Sequence, residues 1–195
     1  MTTNITAVSG SVTRVTLVSH ATTEALRRAR FNSDESVDEI GLQALRRISY
    51  TARTDAVEIA PELRARQTAE GLGLQGEIVP ELADIAYGGW AGLTMDELPE
   101  SELGAWLTDT STTPPDGESI DTVLGRVRRW MDRIGTEPRR VCAVTHPSVV
   151  RAVVVTALDA PPHSFWRVDI PPLTSTTVHC RSGRWTLRAV AEKIT

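Results

Sequence analysis

The chain has 195 residues, 41% of them hydrophobic, which suits one domain with a substantial core. Its formal charge is −4 with both signs spread along the sequence, so no basic surface is implied for a nucleic acid or an anionic membrane, and any anion must be held locally. The sequence predicts a flexible N-terminal tail over residues 1–11, polar and rich in Thr and Ser, and a single domain over residues 12–195. The start has neither a basic segment nor an apolar one, and no run approaches membrane-spanning length, so a cytoplasmic protein is expected. Cys142 and Cys180 lie in strand-like apolar runs and are read as free core thiols.

The first element is VTRVTLVSHA, Val12 to Ala21, a β-branched run that stops on His20. Val12, Val15, Leu17 and Val18 have the composition of a buried strand, which places His20 just past its carboxyl end, where open α/β sheets hold ligands. Thr22 to Ser36, with Arg27, Arg28 and Arg30, reads as a loop containing a short helical turn. Ile40, Leu45 and Ile48, with Gly41 and Ala44, fit one buried face of a helix from Val37 to about Tyr50. Ala56 to Ala60 is a strand ending at Pro61, and a helix follows from about Leu63 to Leu72, stopped by Gly71 and Gly73.

Glu77 to Val79 is a brief strand, and Pro80 to Gly92 is a shaped loop rich in glycine and aromatics. Short helices are expected over Thr94 to Pro99 and Glu102 to Leu107, then a Thr/Pro/Gly loop to Gly117. Ser119 suits an N-cap, and Ile120, Val123, Leu124, Val127, Met131 and Ile134 recur at helical steps, making this the clearest helix of the chain. Arg126, Arg128, Arg129 and Arg133 on its other face are expected in solvent. Val141 to Thr145 is a second buried strand that also ends on a histidine, His146, with Pro147 placed to start a helix to about Leu158. β-Branched stretches at Arg167 to Ile170, Thr174 to Cys180 and Trp185 to Val190 close the chain, the last two joined by the Ser182-Gly183 turn. Strands alternating with helices before a terminal hairpin indicate a mixed sheet covered on both faces, with two strand-terminal histidines able to converge on one crevice.

The blocks LVSHATTE (Leu17 to Glu24), APELRARQTAE (Ala60 to Glu70), ELADIAYGGWAG (Glu81 to Gly92), PPDGES (Pro114 to Ser119) and VTHPSVVR (Val144 to Arg151) resemble, in order, those of the histidine phosphatase superfamily, also called phosphoglycerate mutase-like. The resemblance covers the chain from about Val12 to its end. It implies an α/β fold, a three-layer α/β/α sandwich with a mostly parallel mixed sheet and the site over the strand ends. The family's first block reads Arg-His-Gly, and the resemblance gives its phosphorylated histidine to His20. A neutral imidazole is a competent nucleophile near pH 7, and its attack splits ester hydrolysis into two easier displacements. Arg64 and His146 match the family's phosphoryl contacts, and Asp84 stands at the position of its acid, with Glu81 as the fallback. To donate a proton near neutrality Asp84 would need a raised pKa, which burial beside Tyr87 and Trp90 would supply.

This chain departs from the pattern at Ser19, where the family has arginine, at Ala21 and Pro147, where it has glycine, and at Ala91, where glutamate is frequent. Exchanging the guanidinium for the Ser19 hydroxyl removes contacts worth roughly 1.5–3 kcal/mol, so Ser19, Arg27 and Arg28, with Arg30, are the candidate phosphoryl contacts on that side. His163 and His179 match no block and are assigned to structure or surface. The leading reading is a metal-independent phosphomonoesterase acting through a phosphohistidine on a small phosphorylated metabolite. The alternative is an impaired pseudophosphatase that binds inorganic phosphate or such a metabolite without turnover, and a phosphoglycerate mutase-type transfer ranks third. Neither a metal nor a cofactor is expected, because the four histidines lack ligand spacing and arginine supplies the charge.

Overall fold

A computed structural model describes residues 12–51 and 53–195, so the expected tail at 1–11 lies outside the described residues. Among these residues the strands are β1 (Thr13–Ser19), β2 (Ala56–Ile59), β3 (Glu77–Ile78), β4 (Arg140–Thr145), β5 (Thr174–Arg181) and β6 (Arg184–Lys193). They form one sheet in the order β3-β2-β4-β1-β5-β6. β3, β2, β4 and β1 pair in parallel, and β5 and β6 are antiparallel additions. Helices α1 (Glu24–Arg27), α2 (Glu39–Leu45), α3 (Leu63–Gly71), α4 (Glu100–Thr108), α5 (Ile120–Ile134) and α6 (Pro147–Ala157) complete an α/β/α sandwich. Successive residues of β1 and β4 are buried, Leu17 with Val18 and Val141 through Val144, and since neighbouring side chains point to opposite faces, both faces must be covered.

α5 forms as its periodicity predicts. The Ser119 hydroxyl accepts from the Thr122 N–H at 3.1 Å, Asp121 sits in the first turn, and Ile120, Val123, Val127, Trp130, Met131 and Ile134 are buried. Each such side chain contributes roughly 1.5–3 kcal/mol on burial. Trp130 joins this face because its indole N–H donates to Glu58 Oε2 at 2.6 Å.

Three expectations are corrected. The helix expected over Val37 to Tyr50 extends only over Glu39–Leu45, and Ile40 is 55% exposed. Its buried face is the pair Gly41 and Leu45, because the Gly41 backbone lies so close to Thr22 that an added Cβ would meet the Thr22 carbonyl at 2.6 Å. The strand expected at Arg167 to Ile170 is instead the end of a 3₁₀ turn, Pro162–Arg167, and a following extended segment. Pro161 and Pro162 before it and Pro171 and Pro172 after it lack the N–H groups a ladder needs, and the Val168 carbonyl accepts from Arg151 Nε. Arg126 is not a solvated cation: it pairs with Glu118 and donates to the carbonyls of Glu81 and Asp84.

Candidate active site

β1 and β4 are parallel neighbours in a register that sets Ser19 opposite Thr145, and the His20 N–H donates to the Thr145 carbonyl at 2.9 Å. His20 and His146 therefore leave the sheet side by side, with ring centroids 5.2 Å apart and planes tilted by 57°. β2 lies on the other side of β4, and after Ala60 and Pro61 the chain enters α3 with Glu62 as N-cap and Arg64 in the first turn. The Thr68 hydroxyl ties α3 to the His20 loop, accepting from the Ala21 N–H at 2.9 Å and donating to the Arg64 carbonyl at 2.7 Å. His20, Arg64 and His146 are all essentially inaccessible.

His20 Nδ1 is 2.7 Å from the Ala21 carbonyl, which can only accept, so the ring proton sits on Nδ1 and Nε2 carries the lone pair. Burial first, then the nearby His146 and Arg64, pull its pKa down to about 3, so the imidazole is neutral. Nε2 is buried without a hydrogen-bond partner, and the same is true of Arg64 Nε and His146 Nδ1. One unpartnered polar atom from each of the three side chains is a rare combination, since buried polar groups are nearly always satisfied.

Asp84 closes the group. Its Oδ2 accepts from Arg64 Nη2 at 2.5 Å and Asn32 Nδ2 at 3.3 Å and lies 3.6 Å from His146 Nδ1. Its Oδ1 accepts from the Ser148 hydroxyl at 2.5 Å and the Ile85 N–H at 2.9 Å. Burial pushes this carboxyl up, as the sequence suggested, but His146, Arg64 and the Ser148 hydroxyl outweigh it and hold the pKa well below the carboxylate range. In this arrangement Asp84 is an anion bound in the cationic cradle. Glu62 caps the other side: Oε2 is 2.7 Å from His146 Nε2, and Oε1 accepts from the Asp84 N–H at 3.0 Å. Burial raises the Glu62 pKa, but the His146 bond more than offsets it and the net shift is downward.

The expected contacts on the Ser19 side are not brought in. Ser19 points away from His20, as consecutive residues of a strand do, and its hydroxyl donates to the Pro171 carbonyl at 2.6 Å and accepts from the Thr174 N–H at 3.2 Å. Arg27 pairs with Asp38 at 2.6 Å, Arg28 with Glu24 at 2.9 Å, and Arg30 with the Gly92 carbonyl at 2.6 Å. Glu81 faces Arg133 on α5 at 3.8 Å rather than the histidines. Glu62 and Ser148 escaped the sequence reading, although each lies two residues from a residue it identified, Glu62 before Arg64 and Ser148 after His146.

A buried histidine, arginine and second histidine over the carboxyl edge of a parallel sheet define the class, and the chain belongs to the histidine phosphatase superfamily (branch 1), whose family model matches residues 15–193. It is 34% identical over 180 residues to the bifunctional protein Rv2228c of Mycobacterium tuberculosis, a match covering 85% of this chain and 50% of that protein. The chain thus spans about half the length of that relative. It is 26% identical over 172 residues to the adenosylcobalamin/alpha-ribazole phosphatase of Salmonella typhimurium, covering 80% of this chain and 85% of that one. Its fold matches the phosphoserine phosphatase of Entamoeba histolytica, solved with 3-phosphoglyceric acid, with a TM-score of 0.84 at 19% identity, covering 93% of this chain and 98% of that one. Among the described residues no helix is long and apolar enough to cross a membrane.

Proposed function

We propose that the chain is a phosphomonoesterase that works without a metal through a phosphohistidine at His20. The observation that carries this reading is the trio of unpartnered buried atoms: a lone pair on His20 Nε2 beside Arg64 Nε and His146 Nδ1. The phosphatase names among the relatives support it. His20 Nε2 attacks phosphorus, the N–P bond forms, and the P–O bond to the alcohol breaks. Arg64 and His146 take the equatorial oxygens, since positioning and charge stabilisation are most of what a protein contributes to this reaction. The departing alkoxide receives a proton from Asp84. Water then attacks the phosphorus and gives a proton to Asp84, the new P–O bond forms as the N–P bond breaks, and phosphate leaves with the electron pair restored to His20 Nε2. Asp84 is ionised while paired with Arg64, but a phosphoryl group that takes over the guanidinium and adds its own negative charge raises the carboxyl pKa.

The test is turnover of p-nitrophenyl phosphate with a chelator present, wild type against His20→Ala. We expect turnover that chelation leaves unchanged and that the variant loses by about 1,000-fold or more. Wild-type activity no higher than that of His20→Ala would favour the second reading, a module that binds phosphate without turnover. One observation speaks for that alternative: Arg27, Arg28 and Arg30 are engaged elsewhere, so none of these three stands in for the arginine missing at Ser19.

A further inference from the structure

The charges are spread along the sequence, but folding collects cations on one face of the sheet, at the end away from His20. The register aligns Arg140 of β4, Arg14 of β1, His179 of β5 and Thr186 of β6 in one row. Register partners share a face, as do residues two apart on a strand, so Arg181 and its partner Arg184 join that face. Arg14, Arg181, Arg184 and Arg188 are exposed, and none of them forms an ion pair among the described residues. Like charges directly opposite each other across strands are destabilising. Two such pairs stand here, Arg14 with Arg140 and Arg181 with Arg184, and of the four only Arg140 is compensated, by Asp55 at 2.6 Å.

Two cavities meet at His179. One, of about 360 Å³, has Arg14, Arg53 and Arg140 in its wall, and the other, of about 270 Å³, has Arg181, Thr186 and Arg188. His179 lines both, and no aspartate or glutamate lines either. The half-buried His179 responds to this surplus: burial first, then Arg14, Arg188 and Arg181, all lower its pKa, and no carboxylate opposes them.

Cations without acids select an anion, and the fixed fork of arginine suits phosphate oxygens. Cavities of this size admit neither a nucleic acid duplex nor a folded partner, and no tryptophan or phenylalanine lines them to stack the bases of a single strand. Neighbouring strands lie roughly 4.8 Å apart, so the backbones of Arg14 and Thr186, two strands apart, are separated by roughly 10 Å. Linked phosphates can bridge cations placed on either side of His179 in this way, whereas one phosphate serves a single cavity.

We infer that this face is an anion site separate from the histidine cradle, and that it takes a small molecule bearing two or more linked phosphates, laid across His179 from one cavity to the other. Arg14 precedes His20 by six strand residues, roughly 20 Å, so the ligand does not enter the catalytic group and the inference does not depend on the phosphomonoesterase reading.

The probe is inorganic tripolyphosphate, titrated into the intact protein by calorimetry without divalent ions and at about 50 mM salt, where screening is weak. The expected result is saturable binding with a Kd below about 1 mM, weakened about tenfold in Arg14→Gln and in Arg188→Gln, since each removes a charge-assisted contact. Arg128→Gln, which changes an exposed arginine on α5, should stay within about twofold of the wild type. Inorganic phosphate should bind at least about tenfold more weakly than tripolyphosphate. No saturable binding by the wild type would overturn the site, and so would an affinity that Arg14→Gln and Arg188→Gln leave intact, because the anion would then sit elsewhere. An equal loss in all three variants would overturn it as well, by showing diffuse attraction rather than a built site. Equal affinity for the two anions would overturn the bridging of the two cavities.

Discussion

At Asp84 two roles compete for one carboxylate. It accepts from Arg64, Ser148, Asn32 and the Ile85 N–H, a set suited to an anion, yet the proposed reaction needs it as an acid when the alcohol leaves. Asp84→Asn separates the two. The amide cannot donate an acidic proton, so kcat should fall by about 100-fold or more on an alkyl phosphate, whose alkoxide needs protonation, and by only a few-fold on p-nitrophenyl phosphate, whose phenolate does not. KM should fall for both esters, because a carboxylate that competes with the phosphoryl group for Arg64 is gone. Steady-state kinetics on the two esters check this. An equal loss on both would mean that Asp84 only positions Arg64 and Ser148. Ser19 shows how a residue-level reading fails: its identity was legible as a departure from a motif, but strand alternation sends its hydroxyl to Pro171 and Thr174, so the substitution changes the seam between β1 and β5 rather than the cradle.

The loop that carries Asp84 is held by elements distant in sequence. Gly88 has φ +50, and an added Cβ would meet the Pro115 carbonyl at 2.0 Å, so the Tyr87 to Trp90 turn seats directly on the Pro114 to Gly117 turn. The Gly89 N–H donates to the Pro115 carbonyl at 2.8 Å, and Arg126 on α5 fastens the carbonyls of Glu81 and Asp84. Gly88→Ala should therefore destabilise by about 1–3 kcal/mol from its left-handed backbone alone, which lowers Tm by roughly 2–10 °C in a thermal melt. An unchanged Tm would show that the two turns are not clamped. Much at this scale was legible. β1 and β4 announce themselves as β-branched runs ending on histidine, and α5 by its cap and period, because those signals are local. What was not legible depends on long-range contact. The register that joins His20 to His146 and the crossing that sets Glu62 against His146 are made by pairings of sheet neighbours. Arg126 was misread for the same reason, since the carbonyls it binds lie more than forty residues away.

Across the whole molecule, the site makes stability depend on pH in one direction. His20 binds its proton only near pH 3 in the folded chain, while an unfolded histidine binds one near about 6.5. Between those values the unfolded state holds the extra proton, so stability is complete above about pH 6.5 and declines as pH falls, by up to about 1.4 kcal/mol per pH unit. Glu62 and Asp84 act with the same sign lower down, because both carboxyls are held below their ordinary values and the unfolded chain protonates first. Urea unfolding at a series of pH values should show a plateau above about 6.5 and a loss on the order of 3 kcal/mol by pH 4. His20→Asn should flatten that slope by about one proton between pH 6.5 and 4, and an unchanged slope would show that His20 is not the neutral, buried base on which the phosphohistidine reading depends. The same burial that keeps Nε2 unprotonated at neutral pH, as the proposed reaction requires, is thus what makes the fold sensitive to acid, since the site cannot solvate the charge that a bound proton would create.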